Sequence, residues 1–191
     1  MFWKRLLADI LALLAVAGGV CAVAVEAPKT PPESARNAFQ PKLDYAFTIE
    51  VELEPATYLG DSPAGAERVA VYIRKGTISG PMLHGTVIPM SGGDWARKRP
   101  DGTLDFDARY MLKLDDGAVV YMQNTGYRWA SAEAMAKMSR REAVPFSDYY
   151  MRVTPRFEVR TGPHDWLTRY VFVGVAEKIP TGNRIHYFIV R

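Results

Sequence analysis

The chain has 191 residues, a formal net charge of +3 and a sequence pI near 9.0. That is one domain's length with room for a leader, and 48% hydrophobic residues exclude a disordered chain. The basic residues are scattered, and their one cluster, Arg97-Lys98-Arg99, is followed by Asp101, Asp105 and Asp107, so nothing resembles an electrostatic footprint for nucleic acid.

Residues 1–24 read as a signal peptide. Lys4 and Arg5 supply the positive start, Ile10 to Val25 is an uncharged apolar run, and Ala22-Val23-Ala24 fits the small-x-small cleavage pattern. The competing reading is an uncleaved anchor, because the 20 residues from Leu6 to Val25 carry one acid, Asp9, and are just long enough to span. The insertion cost of Asp9, roughly 3 kcal/mol or less, favours cleavage. The sequence therefore predicts a periplasmic or secreted protein, with membrane contact only through this segment. Cys21 is the only cysteine and lies in the leader, so a mature chain has neither disulfides nor thiol chemistry. Residues 25–42 hold four prolines and read as a tether.

From Leu43 to the end the pattern is that of short strands. Leu43, Tyr45, Phe47, Ile49, Val51 and Leu53 alternate with polar residues, as do Val69, Val71 and Ile73, and then Leu104, Phe106, Ala108, Tyr110 and Leu112. In the last strand Ile185, Tyr187 and Ile189 alternate with Arg184, His186 and Phe188. Turn chemistry separates the runs at Lys75-Gly76, Ser91-Gly92-Gly93, Pro100-Asp101-Gly102, Asp115-Asp116-Gly117, Asn124-Thr125-Gly126, Thr161-Gly162-Pro163 and Thr181-Gly182-Asn183. One segment, 131–142, is rich in helix formers and has Ser131 in an N-cap position. Residues 43–191 thus predict an all-β domain: about eight to ten short antiparallel strands and one short helix. Closure into a barrel is favoured over a sandwich because it removes exposed strand edges.

The order of Gly80-Pro81, Gly92-Gly93-Asp94-Trp95, Asp101-Gly102, Asp107-Ala108-Arg109-Tyr110, Asp116-Gly117, Tyr149-Tyr150 with Arg152, Pro155 to Glu158, and Trp166-Leu167 resembles the domain-of-unknown-function family 3237 from about Leu43 to Arg191. The resemblance implies a closed, lipocalin-like antiparallel β-barrel, also similar to allene oxide cyclase, and implies no particular activity. Members of that family usually lack a leader, and this chain departs from them there.

Several polar residues are candidates for a site. Asp107 and Arg109 share one strand face. The carboxylate would serve as a base and the guanidinium as the partner of a developing oxyanion; the plain alternative is a solvated ion pair on the wet side of the sheet. Glu158 would be a second catalytic carboxylate. Tyr150 and Arg152 share its parity, and with Tyr121 they form a set able to orient a carboxylate or phenol, or merely a wet strand face. Asp94 and Trp95 would line a pocket mouth, or Asp94 would accept backbone N–H groups in the turn while Trp95 caps the barrel. His84, His164 and His186 show no metal-ligand spacing, so no metal or cofactor is predicted. The aromatic content suits a lumen for a flat ligand. The first functional expectation is an exported barrel that binds a small apolar or aromatic molecule. The second is a cofactor-independent isomerase, lyase or cyclase using Asp/Glu–Arg–Tyr acid–base chemistry. The third is a non-catalytic, membrane-tethered carrier. The sequence leaves the oligomeric state open, a homodimer included.

Overall fold

The computed structural model describes residues 30, 32–34, 39–60, 62–63, 65–140 and 142–191. The segment read as a leader, 1–24, and much of the one read as a tether, 25–42, lie outside the described residues. The chain divides after Gln40, and the second unit, Pro41–Arg191, carries the sheet.

Ten antiparallel strands follow one another: β1 (Leu43–Leu53), β2 (Thr57–Tyr58), β3 (Glu67–Ser79), β4 (Gly85–Val87), β5 (Gly93–Lys98), β6 (Leu104–Leu114), β7 (Val119–Ala130), β8 (Tyr149–Val159), β9 (Phe172–Ile179) and β10 (Gly182–Val190). The pairing runs β1-β10-β9-β8-β7-β6-β4-β3, and β3 then returns to β1 from Thr48↔Ser79 to Leu53↔Ile73, which closes a ring of eight. β5 also bridges β3 and β6, and β2 pairs with β3 alone. One helix, α1 (Ala132–Ser139), interrupts the meander between β7 and β8. The Ser131 side chain accepts the Ala134 N–H and caps it, as the sequence predicts.

Three local readings change. Residues 124–126 form no turn: they lie inside the unbroken strand β7. Gly126 is there because β8 passes too close for a side chain, and a Cβ would stand 2.1 Å from the Arg152 carbonyl oxygen. Lys75-Gly76 likewise lies within β3, which bends there as its partners change from β2 and β5 to β1 and β4. In β1 the register shifts between Tyr45 and Phe47. The bulge leaves Leu43 and Tyr45 exposed while Phe47, Ile49 and Val51 face inward. The hairpin turns at Gly102 (φ 83°) and Gly117 (φ 88°) take the positive φ expected of them.

The two ends of the barrel differ. Phe47, Phe157, Phe172 and Tyr187 pack at centroid separations of 5.2–6.3 Å, and Leu83 and Leu167 are buried with them. That half is solid, and each aromatic pair adds about 0.5–1.5 kcal/mol beyond its buried area. Toward the other end the inward-facing positions lose cover. Along β6, Leu114, Leu112 and Tyr110 are buried, and Ala108, Phe106 and Leu104 only half-buried. Along β7, Val120, Met122 and Asn124 are buried, and Gly126, Arg128 and Ala130 half-buried. β9 passes from buried Phe172, Gly174 and Ala176 to exposed Lys178. Four strands agree, since Leu53 at the end of β1 is also half-buried, while Ala96 of β5 and Tyr149 and Met151 of β8 stay buried beside them, so this end is only partly open. The mouth is flanked by residues 54–56 after β1, the β5–β6 and β9–β10 turns, and the connection that holds α1. Met138 and Val144 of that connection pack against the core.

Candidate functional site

Strand parity sorts the residues picked out by the sequence. On β6 the even positions face in, so Asp107 and Arg109 stand on the outer wall. Arg109 Nε and Nη2 donate to Asp107 Oδ1 and Oδ2, both at 3.0 Å, and Gln123 Nε2 donates to Oδ1 at 3.0 Å. The Arg109 guanidinium is the main reason that Asp107 lies below its ordinary pKa. Tyr121 is on the same outer wall, opposite Glu158. Glu158, Tyr150 and Arg152 also face out, because β8 buries Tyr149, Met151, Val153 and Phe157. The Arg152 guanidinium lies over the rings of Phe146 and Tyr150, and Tyr150 stacks on Trp129 at 5.5 Å. Trp95 points outward against Tyr72. The sheet therefore gives the catalytic trio Asp107, Arg109 and Glu158 no common enclosed space. They occupy the wet face that the alternation also allowed, where a low dielectric cannot sharpen their chemistry.

Asp94 is the exception. It lies on β5 opposite Ala108, on the inward side. Its Oδ1 accepts the Asp107 backbone N–H at 3.0 Å, filling a gap in the β5–β6 ladder. Burial raises its carboxyl to about 6, a bias that the Asp107 N–H and the nearby Arg128 only partly offset. Arg128 projects inward from β7, and burial pulls its guanidinium below the ordinary value while Tyr58, Asp94 and Tyr149 oppose this. Lys178 reaches water at the mouth, yet protein surrounds it on most sides. Lost hydration, followed by repulsion from Arg128, brings its ammonium down to about 8. Its Nζ donates to Asn183 Oδ1 at 2.8 Å, and its backbone N–H donates to Tyr149 Oη at 2.9 Å.

Below these groups lies a buried polar layer. Asn124 Nδ2 donates to Tyr187 Oη at 3.0 Å. Burial pushes the Tyr187 and Tyr110 phenols well above their ordinary values, so both stay neutral donors. Among the described residues two buried side-chain atoms have no partner, Asn124 Oδ1 and Arg128 Nε. Native interiors leave few such atoms unmet, because each one costs about 1–3 kcal/mol. Both face the interior of one strand. Among the described residues no three or more His, Cys, Asp or Glu gather where they could hold a metal ion. A groove of about 640 Å³ also opens on the outer wall, where β8 and β9 part beyond Arg152↔Val175 and Val153↔Gly174. Its lining offers one charged side chain, Arg156.

Of the eight residues expected at a site, only Asp94 reaches this cluster. Sequence reasoning passed over Arg128, Lys178, Tyr110 and Asn124. The signal was present: Val120, Met122 and Asn124 set the inward parity of β7, and carrying it on reaches Arg128. Taking 124–126 for a turn broke that count.

Fold and interior together define a closed antiparallel β-barrel with one partly open end that carries the polar side chains Asp94, Arg128 and Lys178. The chain belongs to the family described as "Protein of unknown function (DUF3237)", which matches residues 41–191. It is 36% identical over 134 residues to UPF0311 protein RPA1785 of Rhodopseudomonas palustris, covering 70% of this chain and 86% of that one. The crystal structure of RPA1785 superposes with a TM-score of 0.75 over 79% of this chain and 98% of that chain, at 32% identity. A β-barrel-like protein of Acinetobacter baumannii, ABAYE2633, gives a TM-score of 0.68 at 28% identity, over 85% of this chain and 99% of that chain. A more distant relative, 23% identical over 148 residues and matched over 78% of this chain and 83% of its own length, is the hydroalkoxylation enzyme phnH of Penicillium herquei.

Proposed function

We propose that this protein is a cofactor-independent acid–base enzyme that binds a small, flat, apolar or aromatic molecule in the open end of its barrel. One observation carries the reading: an inward carboxyl raised to about 6, Asp94, lies near the cation Arg128, which in turn lies near a second, Lys178. Groups with displaced pKa values in a cleft mark functional sites, because an acid is most useful when its pKa lies near the working pH. The apolar lining beside them, Leu53, Phe106, Ala108 and Met151, fits an unsaturated body. The distant relative named for hydroalkoxylation supports an isomerisation or ring closure.

In such a step on an enone, a hydroxyl oxygen of the same molecule bonds to the far carbon of the double bond, and the electron pair of that bond passes to the carbonyl oxygen, which Arg128 and Lys178 hold as negative charge develops. Protonated Asp94 gives its proton to the carbon beside the carbonyl, and the proton shed by the hydroxyl restores Asp94. No atom is gained or lost. The leader-like residues 1–24 support an exported enzyme.

The test is a spectrophotometric screen of phenols bearing a conjugated double bond, beginning with ortho-hydroxychalcone. Asp94→Asn is expected to lower the rate about 10²–10⁴-fold. The wild-type rate is expected to fall as pH rises through about 6, where Asp94 loses its proton. Undiminished turnover in Asp94→Asn removes Asp94 from the chemistry, and binding without turnover across the panel makes the barrel a carrier.

A further inference from the structure

The interior charges do not balance. The Arg128 side chain makes no hydrogen bond or ion pair to any described residue, and its Nε is buried without a partner. Among the described residues the one side-chain partner of Lys178 Nζ is the neutral amide of Asn183. Asp94 is the acid near Arg128, and it is already held by the Asp107 N–H. Among the described residues, Asp94 is thus the one carboxylate that acts on Arg128, while Lys178 feels only the repulsion of Arg128, which is a costly arrangement unless a ligand completes it.

A second unmet group lies deeper. Asn124 is 5% exposed, and one end of its amide bonds Tyr187 while the other bonds nothing. A ligand hydroxyl satisfies either end of an amide, since it both donates and accepts. Asn124 and Arg128 stand four residues apart on one strand face, about 13 Å between their Cα atoms. The inward position between them is Gly126, with Phe106 opposite it on β6 and Val153 opposite it on β8. On the β8 side the Arg152 carbonyl and the Val153 side chain close against Gly126, so the groups between the two unmet atoms are backbone and apolar side chains.

We propose that the ligand is a planar conjugated oxyanion, a phenolate, enolate or aryl carboxylate, whose charged oxygen lies against Arg128 and Lys178 and whose far hydroxyl meets Asn124. This rests on the acid–base reading of the same site and names the chemistry of its substrate. It also explains why an uncompensated guanidinium is kept inside the barrel: bound ligand supplies the counter-charge, and charge-assisted hydrogen bonds are the strong ones.

Calorimetry with three probes tests it. They are a hydroxynaphthoate with its two groups at opposite ends of the ring system, its neutral methyl ester, and a naphthoate without the hydroxyl. The hydroxynaphthoate is expected to bind at least tenfold more tightly than either of the others. Arg128→Gln is expected to reduce its affinity to that of the ester while leaving ester binding unchanged, and Glu158→Gln on the outer wall is expected to change neither. Loss of an unpaired inward charge does not threaten the fold, and thermal denaturation of Arg128→Gln verifies this. Equal affinity for acid and ester refutes the oxyanion while leaving the interior site and its acid–base reading in place. Failure of all three probes to bind a folded protein at millimolar concentration overturns both.

Discussion

Replacing Asp94 with Asn should make the barrel more stable at neutral pH, although it removes a residue of the candidate site. Folding raises the Asp94 carboxyl from 3.8 to about 6. An acid whose pKa is higher in the folded state favours folding below its unfolded value, and that contribution is lost as pH climbs through the folded value. At 1.36 kcal/mol per pH unit, the interval amounts to about 3 kcal/mol. The loss is complete above pH 6 and absent below pH 4. Asn keeps the oxygen that accepts the Asp107 N–H at 3.0 Å, so packing and the ladder gap should survive. Asp94→Asn should therefore match wild type near pH 3.5 and exceed it by about 3 kcal/mol at pH 7, or roughly 6–12 °C in melting temperature for a domain of this size. Urea denaturation of both proteins at half-unit steps from pH 3.5 to 7.5 measures the difference. Asp101, Asp107, Asp116, Glu133 and Glu142 are lowered by their partners and push stability the other way with pH, but they are common to both proteins and cancel. A difference that stays flat across pH 4–6 refutes the claim that Asp94 is desolvated in the folded barrel.

Other perturbations probe the remaining claims. Arg128→Met should raise the melting temperature, because an inward charge without a partner gives way to an apolar chain; a lowered value in differential scanning calorimetry contradicts the unpaired state. Gly126→Ala should cost about 1–3 kcal/mol in chemical denaturation, since its Cβ would meet the Arg152 carbonyl oxygen at 2.1 Å. A double-mutant cycle on Asp107→Ala and Arg109→Ala should give a coupling of about 1 kcal/mol or less, shrinking in high salt, as for an exposed pair. The same variants should leave turnover unchanged in the chalcone assay. Intact-mass analysis of the protein exported by a bacterial host should find a chain beginning at Val25, and retention of the full mass in the membrane fraction would favour the anchor.

The fold was legible in the sequence because a strand's side chains alternate with a period of two, and hairpin turns demand particular residues. Those rules located β6, both well-formed hairpin turns, the capped helix and the closed all-β class. They failed where long-range contact overrode local chemistry. Gly126 looked like a turn residue, but it is a contact between neighbouring strands, and nothing within a few residues of it carries that information. The candidate site was less legible for a related reason. Alternation says which residues share a face; it does not say which face becomes the inside. For Asp107 and Arg109 the apolar partners on β6 gave the right answer, the outer wall, and it was the prominence of the motif that argued otherwise. For Asp94, Arg128 and Lys178 only closure of the ring could decide. They come from β5, β7 and β9, far apart in the chain, and their charges become consequential when eight strands wrap around them and remove most of their water. Solvation is a property of the assembled barrel, so a linear sequence can list its ionisable groups but leaves open which of them will be displaced from their ordinary pKa.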